Sequence, residues 1–143
     1  MQTFAYPAAV KRDESGVYVV TFPDVPRCAT DGRTRAEALR EAADALEEGI
    51  AHRIAQGLDV TPPSKVRKGQ YPVPLSAQMA AKLALHLALR EAGVRPATLA
   101  RRLGVSEAAI RKILDPRRNT RLDQLDRALA ALGKRLVVHT EAA

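Results

Sequence analysis

Residues 97–114 have the sequence ATLARRLGVSEAAIRKIL, which predicts two short helices joined by a tight turn. Gly104 lies where the first helix should end, and glycine adopts the positive φ of that position at no steric cost. Ser106 follows as a suitable N-cap for the second helix. The apolar positions, which recur at helical spacing on both sides of the turn, are Leu99, Ala100, Leu103, Ile110 and Ile113. The stretch therefore predicts two helices packed on a shared core.

This pattern resembles the helix-turn-helix of bacterial repressors, in which the N-terminal part of the second helix enters the major groove of DNA. The positions that carry the resemblance are Ala100, Gly104, Val105, Ile110 and Ile113. The outward positions of the second helix are Ser106, Glu107, Ala108, Arg111 and Lys112. An ordinary helical hairpin with solvated basic side chains is the alternative interpretation.

Positive charge is concentrated around this stretch. The basic residues of the segment are Arg101, Arg102, Arg111, Lys112, Arg117, Arg118 and Arg121, opposed only by Glu107 and Asp115. A protein that neutralises phosphates needs such cations beside the element that enters the groove. The candidate DNA-binding residues are therefore Arg101, Arg102, Ser106, Glu107, Ala108, Arg111, Lys112, Arg117 and Arg118.

Two kinds of contact are expected within this set. We expect Arg111 to donate two hydrogen bonds to one guanine, the contact that reads sequence. We expect Arg101, Arg117 and Arg118 to contact phosphates, which position a protein on DNA without reading sequence.

Charge is distributed unevenly along the 143 residues, whose net charge is +7. Residues 1–64 carry 7 basic and 10 acidic side chains, whereas residues 65–143 carry 16 basic and 6 acidic ones. This asymmetry predicts two modules with different partners. Residues 59–69, DVTPPSKVRKG, have the composition of a boundary between modules. A short edge strand at residues 71–75 should return to the first module, so the predicted domains are residues 1–75 and 76–143.

The N-terminal half predicts three strands followed by a helix. The strands are expected at residues 4–10, at residues 17–22 and around residues 27–30. Pro7 indicates that the first strand is an edge strand or carries a bulge. Thr34 and Glu37 have the T-x-x-E spacing of a capping box at the start of the helix. The residues expected to face the sheet are Ala36, Leu39, Ala43, Leu46, Ile50 and Ile54.

The other side of this helix carries an acidic stripe. Its members are Glu37, Glu41, Asp44 and Glu48, spaced by four, three and four residues. Such a stripe is either a solvated face or a surface that competes with nucleic acid for a basic partner. The sequence alone leaves both interpretations open.

Residues 21–39, TFPDVPRCATDGRTRAEAL, resemble the characteristic sequence of HicB antitoxins, the partners of the small ribonuclease toxin HicA. The matching residues are Phe22, Pro23, Asp24, Pro26, Cys28, Thr30, Gly32, Thr34, Glu37, Ala38 and Leu39. The resemblance extends through the C-terminal half, because one branch of the family carries a helix-turn-helix. Arg27 occupies a position where the family commonly has glycine, so the sequence does not establish whether this residue adopts any positive φ that the family uses there.

The resemblance implies an α+β fold: a truncated, non-catalytic RNase H-like βββαβ domain followed by an all-α helix-turn-helix DNA-binding domain. It also implies that the first domain binds a HicA-like toxin and that the second binds operator DNA. The candidate toxin-binding residues are Phe22, Pro23, Asp24, Glu37, Glu41, Asp44 and Glu48.

The C-terminal half also predicts self-association. A helix over residues 76–92 is apolar on most sides, with only a line of polar residues at Gln78, Lys82, His86 and Arg90. Such a helix must be buried on most sides, which predicts packing against a second subunit in a homodimer or a higher even oligomer. Residues 134–140, KRLVVHT, predict a short terminal strand that pairs with its twin across a two-fold axis.

Several function classes are disfavoured. The single cysteine, Cys28, excludes an internal disulfide and is expected to be a buried thiol. The three histidines are scattered, so neither a metal site nor a cofactor is expected, and we expect no enzyme activity. No signal peptide or membrane span is apparent, which favours the cytoplasm, with association to the nucleoid when the protein binds DNA.

Two alternatives from other classes remain at this point. One is a stand-alone transcriptional regulator whose N-terminal domain senses a small ligand. The other is a vestigial Mg²⁺-dependent nuclease that uses Asp13, Asp24 and Asp31, although turn aspartates are mostly local hydrogen-bonding caps.

Overall fold

Four antiparallel strands and one helix form the N-terminal part of the chain. In the computed structural model, which describes residues 1–143, the strands are β1 (Ala5–Arg12), β2 (Tyr18–Thr21), β3 (Ala29–Gly32) and β4 (Gln70–Pro74). The sheet order is β3-β2-β1-β4, and α1 (Arg35–Ala55) lies between β3 and β4 in sequence. The predicted order of three strands, a helix and a fourth strand is therefore present.

Strand β1 is not the edge strand that Pro7 suggested. It pairs with both β2 and β4 and so lies inside the sheet. Its pairing with β2 begins only at Ala9, opposite Thr21, whereas Pro7 lies opposite Pro72 of β4. The missing N–H of Pro7 is tolerated because β1 has no β2 partner at that residue. The edge strand predicted at residues 71–75 is confirmed as β4.

The predicted cap of α1 is present with one change. Thr34 is the N-cap, and its Oγ1 accepts a hydrogen bond from the Glu37 backbone N–H at 3.1 Å. The Glu37 carboxylate accepts from the backbone N–H of Arg33 at 3.2 Å, one residue before the position expected in a capping box. One donor in the first turn of the helix and one just before the helix are thereby satisfied locally.

The buried face of α1 is rotated from the one expected. Ala36 is exposed, and Leu39 and Ala43 are only half-buried. The rotation follows from a close approach to β3: a Cβ on Gly32 would lie 2.5 Å from the backbone nitrogen of Ala38. The buried residues of the helix are Ala38, Ala42, Leu46, Ile50, Ala51 and Ile54.

The turn before β3 contains a left-handed arginine. Arg27 has φ +63° and is the only non-glycine residue of the chain with a positive φ. The Val25 backbone N–H donates to the Phe22 carbonyl at 3.1 Å, and the Cys28 N–H donates to the Val25 carbonyl at 3.3 Å. The chain thus adopts a positive φ at this position without the glycine that would suit it, and β3 begins after it, two residues later than predicted.

Arg27→Gly is expected to raise the free energy of unfolding by about 0.5–1 kcal/mol. Relief of the left-handed strain, about 1–2 kcal/mol, is partly offset by the greater entropy of glycine in the unfolded chain. Urea denaturation monitored by circular dichroism measures the change. Arg27→Lys is the control and should leave stability unchanged, since lysine bears the same strain. A gain for lysine equal to that for glycine would show that strain is not the cause.

Residues 59–69 belong to the N-terminal unit. The Tyr6 hydroxyl donates to the Thr61 carbonyl at 2.9 Å, and burial raises the pKa of this hydroxyl, with the Asp24 charge adding to the effect. Asp24 Oδ2 accepts hydrogen bonds from the Ser64 backbone N–H at 2.8 Å and from its hydroxyl at 2.9 Å. The chain divides into two compact units, Met1–Ala80 and Ala81–Ala143.

Helices alone form the C-terminal part of the chain. They are α2 (Ala77–Ala92), α3 (Pro96–Leu103), α4 (Glu107–Leu114) and α5 (Leu122–Ala130). Together with α1 they make five helices, so the fold class is α+β as predicted. None of the five has the length and apolar character needed to cross a membrane. The core of this unit consists of Ala81, Leu85, Ala88, Leu89, Leu99, Ala100, Ile110, Ile113, Leu125, Ala128 and Leu129.

Two expectations about the C-terminal half concern a second copy of the chain and stay predictions. In the single chain residues 134–140 are not paired as a strand, and Val137 and Val138 are 51% and 72% exposed, so the pairing expected with a twin copy is still a prediction. Leu83 and Leu85 of α2 are already fully buried in the single chain, so their burial alone does not call for the second subunit that was predicted. The polar line of α2 is also interrupted, because Lys82 is only 1% exposed.

Candidate nucleic-acid interface

The turn between α3 and α4 is fixed by backbone hydrogen bonds. Gly104 has φ +66°, and its N–H donates to the Arg101 carbonyl at 3.2 Å. The Val105 N–H donates to the Ala100 carbonyl at 3.0 Å, which completes a Schellman motif. Ser106 Oγ accepts from the Ala109 N–H at 3.0 Å and caps α4. The roles predicted for Gly104 and Ser106 are confirmed.

Helix α4 has one buried side and one exposed side. Ile110 and Ile113 are buried in the core of the C-terminal unit. The five outward positions named from the sequence, all exposed, are Ser106, Glu107, Ala108, Arg111 and Lys112. The structure therefore places these candidates together on one accessible face.

Two arginines follow α4 in a short turn. Asp115 organises this turn, because its Oδ1 accepts from the Arg117 N–H at 3.0 Å and its carbonyl accepts from the Arg118 N–H at 3.2 Å. Both arginine side chains are exposed, as are Arg101 and Arg102 at the end of α3. The unit that holds them carries 13 basic and 6 acidic residues, so its field attracts anions.

A shallow groove runs beside α4. Its volume is about 240 Å³, and its lining residues are Val105, Ala109, Lys112, Ile113, Arg118, Asn119, Thr120 and Gln124. Two of them, Lys112 and Arg118, are cationic, and three others carry neutral polar side chains. A phosphate group is small enough for this groove and matches its charge.

Lys82 belongs to this region, although the sequence placed it on a polar line of α2. Its ammonium donates to the Ile113 carbonyl, to Thr120 Oγ1 and, at 3.4 Å, to the Lys112 carbonyl. Burial lowers the pKa of Lys82 to about 8, an effect that the charge of Asp115 opposes. The only signal in the sequence was a lysine inside the most apolar segment of the chain.

The candidate residues of the N-terminal unit divide into three groups. Phe22 is 3% exposed and belongs to the core, because the turn that follows folds it inward, so its assignment to a contact surface is corrected. Asp24 holds Ser64, and Glu37 accepts from the Arg33 N–H, so both have local structural roles. The remaining candidates, all exposed, are Pro23, Glu41, Asp44 and Glu48.

The thiol of Cys28 is buried, as predicted, and its burial raises its pKa. It donates to the Ala45 carbonyl at 3.4 Å. No group of three His, Cys, Asp or Glu side chains has an arrangement that could hold a metal ion.

Comparisons with known proteins identify the family of this chain. The family described as HicB_like antitoxin of bacterial toxin-antitoxin system matches residues 5–84. Antitoxin HicB 2 of Photorhabdus laumondii is 37% identical over 131 residues, which cover 92% of each chain. Antitoxin HicB 1 of the same organism is 31% identical over 141 residues, covering 99% of this chain and 90% of the relative. Antitoxin HicB of Escherichia coli K12 is 29% identical over 131 residues, covering 92% and 95%. As the resemblance at residues 21–39 predicted, this chain belongs to the HicB-like antitoxin family.

Proposed function

We propose that this chain binds and inhibits a HicA-like mRNA-cleaving toxin and represses its own operon by sequence-specific DNA binding. The observation that carries the DNA-binding half is the exposed face of α4, fixed by the Gly104 turn and the Ser106 cap and flanked by exposed arginines. Family membership supports the toxin-binding half. The protein acts by occupying surfaces, without a cofactor or catalysis of its own.

In this proposal α3 and α4 are a helix-turn-helix, and α4 is the recognition helix. Its N-terminal residues, Ser106, Glu107 and Ala108, lie against base edges in the major groove. Arg111, one turn further along the same exposed face, donates two hydrogen bonds to a guanine. The phosphate contacts come from Lys112 and from Arg101, Arg102, Arg117 and Arg118, which surround that face.

The N-terminal unit, a truncated RNase H-like domain in this proposal, presents its acidic helix face to the toxin. Glu41, Asp44 and Glu48 are exposed along one side of α1, with Pro23 exposed in the turn before β3. A ribonuclease that binds RNA must offer a basic surface, and an acidic helix competes for it through charge complementarity. Occupation of that surface excludes RNA both sterically and electrostatically.

The repressor in this proposal is a homodimer or a higher even oligomer. Residues 134–140 are rich in β-branched residues and leave Val137 and Val138 exposed in the single chain. Pairing of this segment with its copy across a two-fold axis would supply the missing backbone partners and cover both valines. Two recognition helices would then bind half-sites separated by one helical turn of DNA, about 34 Å, or by a multiple of it.

The direct test measures binding to the DNA upstream of its own gene and to scrambled DNA of equal length. We expect the upstream DNA to bind more tightly and to show two protected half-sites. Inhibition of RNA cleavage by the HicA-like protein of the neighbouring reading frame tests the second half. Equal affinity for both DNAs at physiological salt, or undiminished cleavage, would contradict the corresponding half of the proposal.

Two arginine substitutions separate sequence readout from phosphate binding. Arg111→Ala is expected to reduce discrimination against a mutated half-site by about tenfold, within the roughly 1–3 kcal/mol of a bidentate arginine–guanine pair. Arg117→Ala should weaken binding to all DNA alike and lower the slope of log affinity against log salt by about 1. Fluorescence anisotropy at several salt concentrations measures both. Similar losses of discrimination in the two variants would contradict the assignment.

A further inference from the structure

Lys82 lies where three helices of the C-terminal unit meet. It belongs to α2, and its ammonium donates to the carbonyls of Lys112 and Ile113 at the end of α4. Its third acceptor is the hydroxyl of Thr120, just before α5. An ammonium has three N–H donors, so these three acceptors satisfy it completely. The contact satisfies carbonyls at the C-terminal end of α4, where a cation also complements the helix dipole.

The partners of Lys82 enclose the segment of residues 115–119. Ile113 lies two residues before this segment, and Thr120 follows it directly. Between them stand the exposed side chains of Arg117 and Arg118, and the Arg118 charge lies close enough to lower the pKa of Lys82. The buried ammonium thus ties both ends of the arginine segment to α2.

We propose that Lys82 is a positioning residue that holds the arginine segment, residues 115–119, in the geometry needed to contact phosphates. This inference rests on the proposed DNA binding. Lys82 itself is buried and does not touch DNA; it acts through the two points at which the segment leaves α4 and approaches α5. The number of phosphates contacted by the protein therefore depends on a side chain that lies inside the fold.

A contribution to stability alone does not account for a buried lysine at position 82. Removal of an ammonium from water is costly, so the three hydrogen bonds of Lys82 offset this penalty before they add any net stability. Methionine has nearly the same length as lysine, so Lys82→Met fills the same space, although the lost donor leaves acceptors unpaired at a cost of about 1–3 kcal/mol. In that variant the segment loses its tether, while every arginine remains present.

The salt dependence of DNA binding is the measurement that isolates positioning. Lys82→Met is expected to lower the slope of log affinity against log salt by about 2 and to weaken operator binding about tenfold at physiological salt. A variant that is merely less stable would show a smaller active fraction with an unchanged slope. Lys68→Met is the control, because it removes the same charge from an exposed turn of the N-terminal unit and should leave the slope unchanged.

A second variant covers the case in which Lys82→Met fails to fold. Thr120→Val keeps the side-chain volume and removes one acceptor, and it should lower the slope by about 1. An unchanged slope in folded Lys82→Met, or in Thr120→Val where the first variant is unfolded, would overturn the proposal.

Amide hydrogen exchange separates this inference from the proposed function. Without DNA, the amides of Asp115 and of residues 117–119 in the wild-type protein should exchange more slowly than those of Lys82→Met or Thr120→Val. Faster exchange in the variants, together with a wild-type protein that ignores operator DNA, would support the tether and refute DNA binding. Equal exchange in all three proteins would overturn the tether even where the wild type binds its operator.

Discussion

Gly32→Ala is expected to lower the free energy of unfolding of the N-terminal unit by about 3 kcal/mol. A Cβ on Gly32 would lie 2.5 Å from the backbone nitrogen of Ala38 and 2.8 Å from its Cα. Backbone atoms of a helix cannot yield as a flexible side chain can, so α1 would have to separate from β3. Urea denaturation of the purified protein, followed by circular dichroism, measures the loss.

Gly49→Ala is the matched control on the same helix. Its Cβ would meet Cys28 Sγ at 3.4 Å, an ordinary contact distance. Glycine inside a helix costs roughly 0.5–1 kcal/mol relative to alanine, so this variant should be more stable than the wild type by about that amount. Equal effects of the two substitutions would show that the approach of α1 to β3 is not the reason for glycine at position 32.

Glu41→Lys combined with Glu48→Lys is expected to weaken toxin binding about 100-fold, or about 2.7 kcal/mol. Both carboxylates lie on the exposed side of α1, where reversed charges would oppose a basic ribonuclease. Titration of the HicA-like partner in a cleavage assay measures the loss. Operator affinity should not change, because the substitutions lie in the other unit.

The control for this pair changes the net charge by the same amount elsewhere. Glu14→Lys combined with Glu141→Lys replaces two exposed carboxylates outside the acidic helix face. Toxin affinity should stay near the wild-type value. An equal fall of toxin affinity in both double variants would indicate a general effect of net charge. Unchanged toxin affinity in the variant with Glu41→Lys and Glu48→Lys would show that the acidic stripe is only a solvated face.

Local features of the structure were predictable from the sequence. Gly104, Ser106 and Thr34 act through hydrogen bonds within a few residues of themselves, so their types and spacing suffice to predict the turn and the caps. The exposed face of α4 follows from the same periodicity that buries Ile110 and Ile113.

Features that depend on distant parts of the chain were not predictable. The polar line of α2 places Lys82 at a solvent position, and only the end of α4 and Thr120, about 30 residues away or more, supply its acceptors. The buried face of α1 differs from the predicted one because Gly32 of β3 leaves room for the backbone of Ala38, and this contact joins two separate elements. Residues 134–140 have strand composition, and their pairing with a second copy of the chain stays a prediction.

Strand β4 affects whether the antitoxin aggregates before it binds a partner. The Leu75 N–H donates to the Phe4 carbonyl, toward the inside of the sheet. Pro72 and Pro74 occupy the alternate positions of this edge strand, where a backbone N–H would point away from the sheet. Neither proline has an amide hydrogen to offer, and the opposite margin, β3, is only four residues long. A newly made molecule is thereby protected from adding strands of other chains sideways and growing into an aggregate.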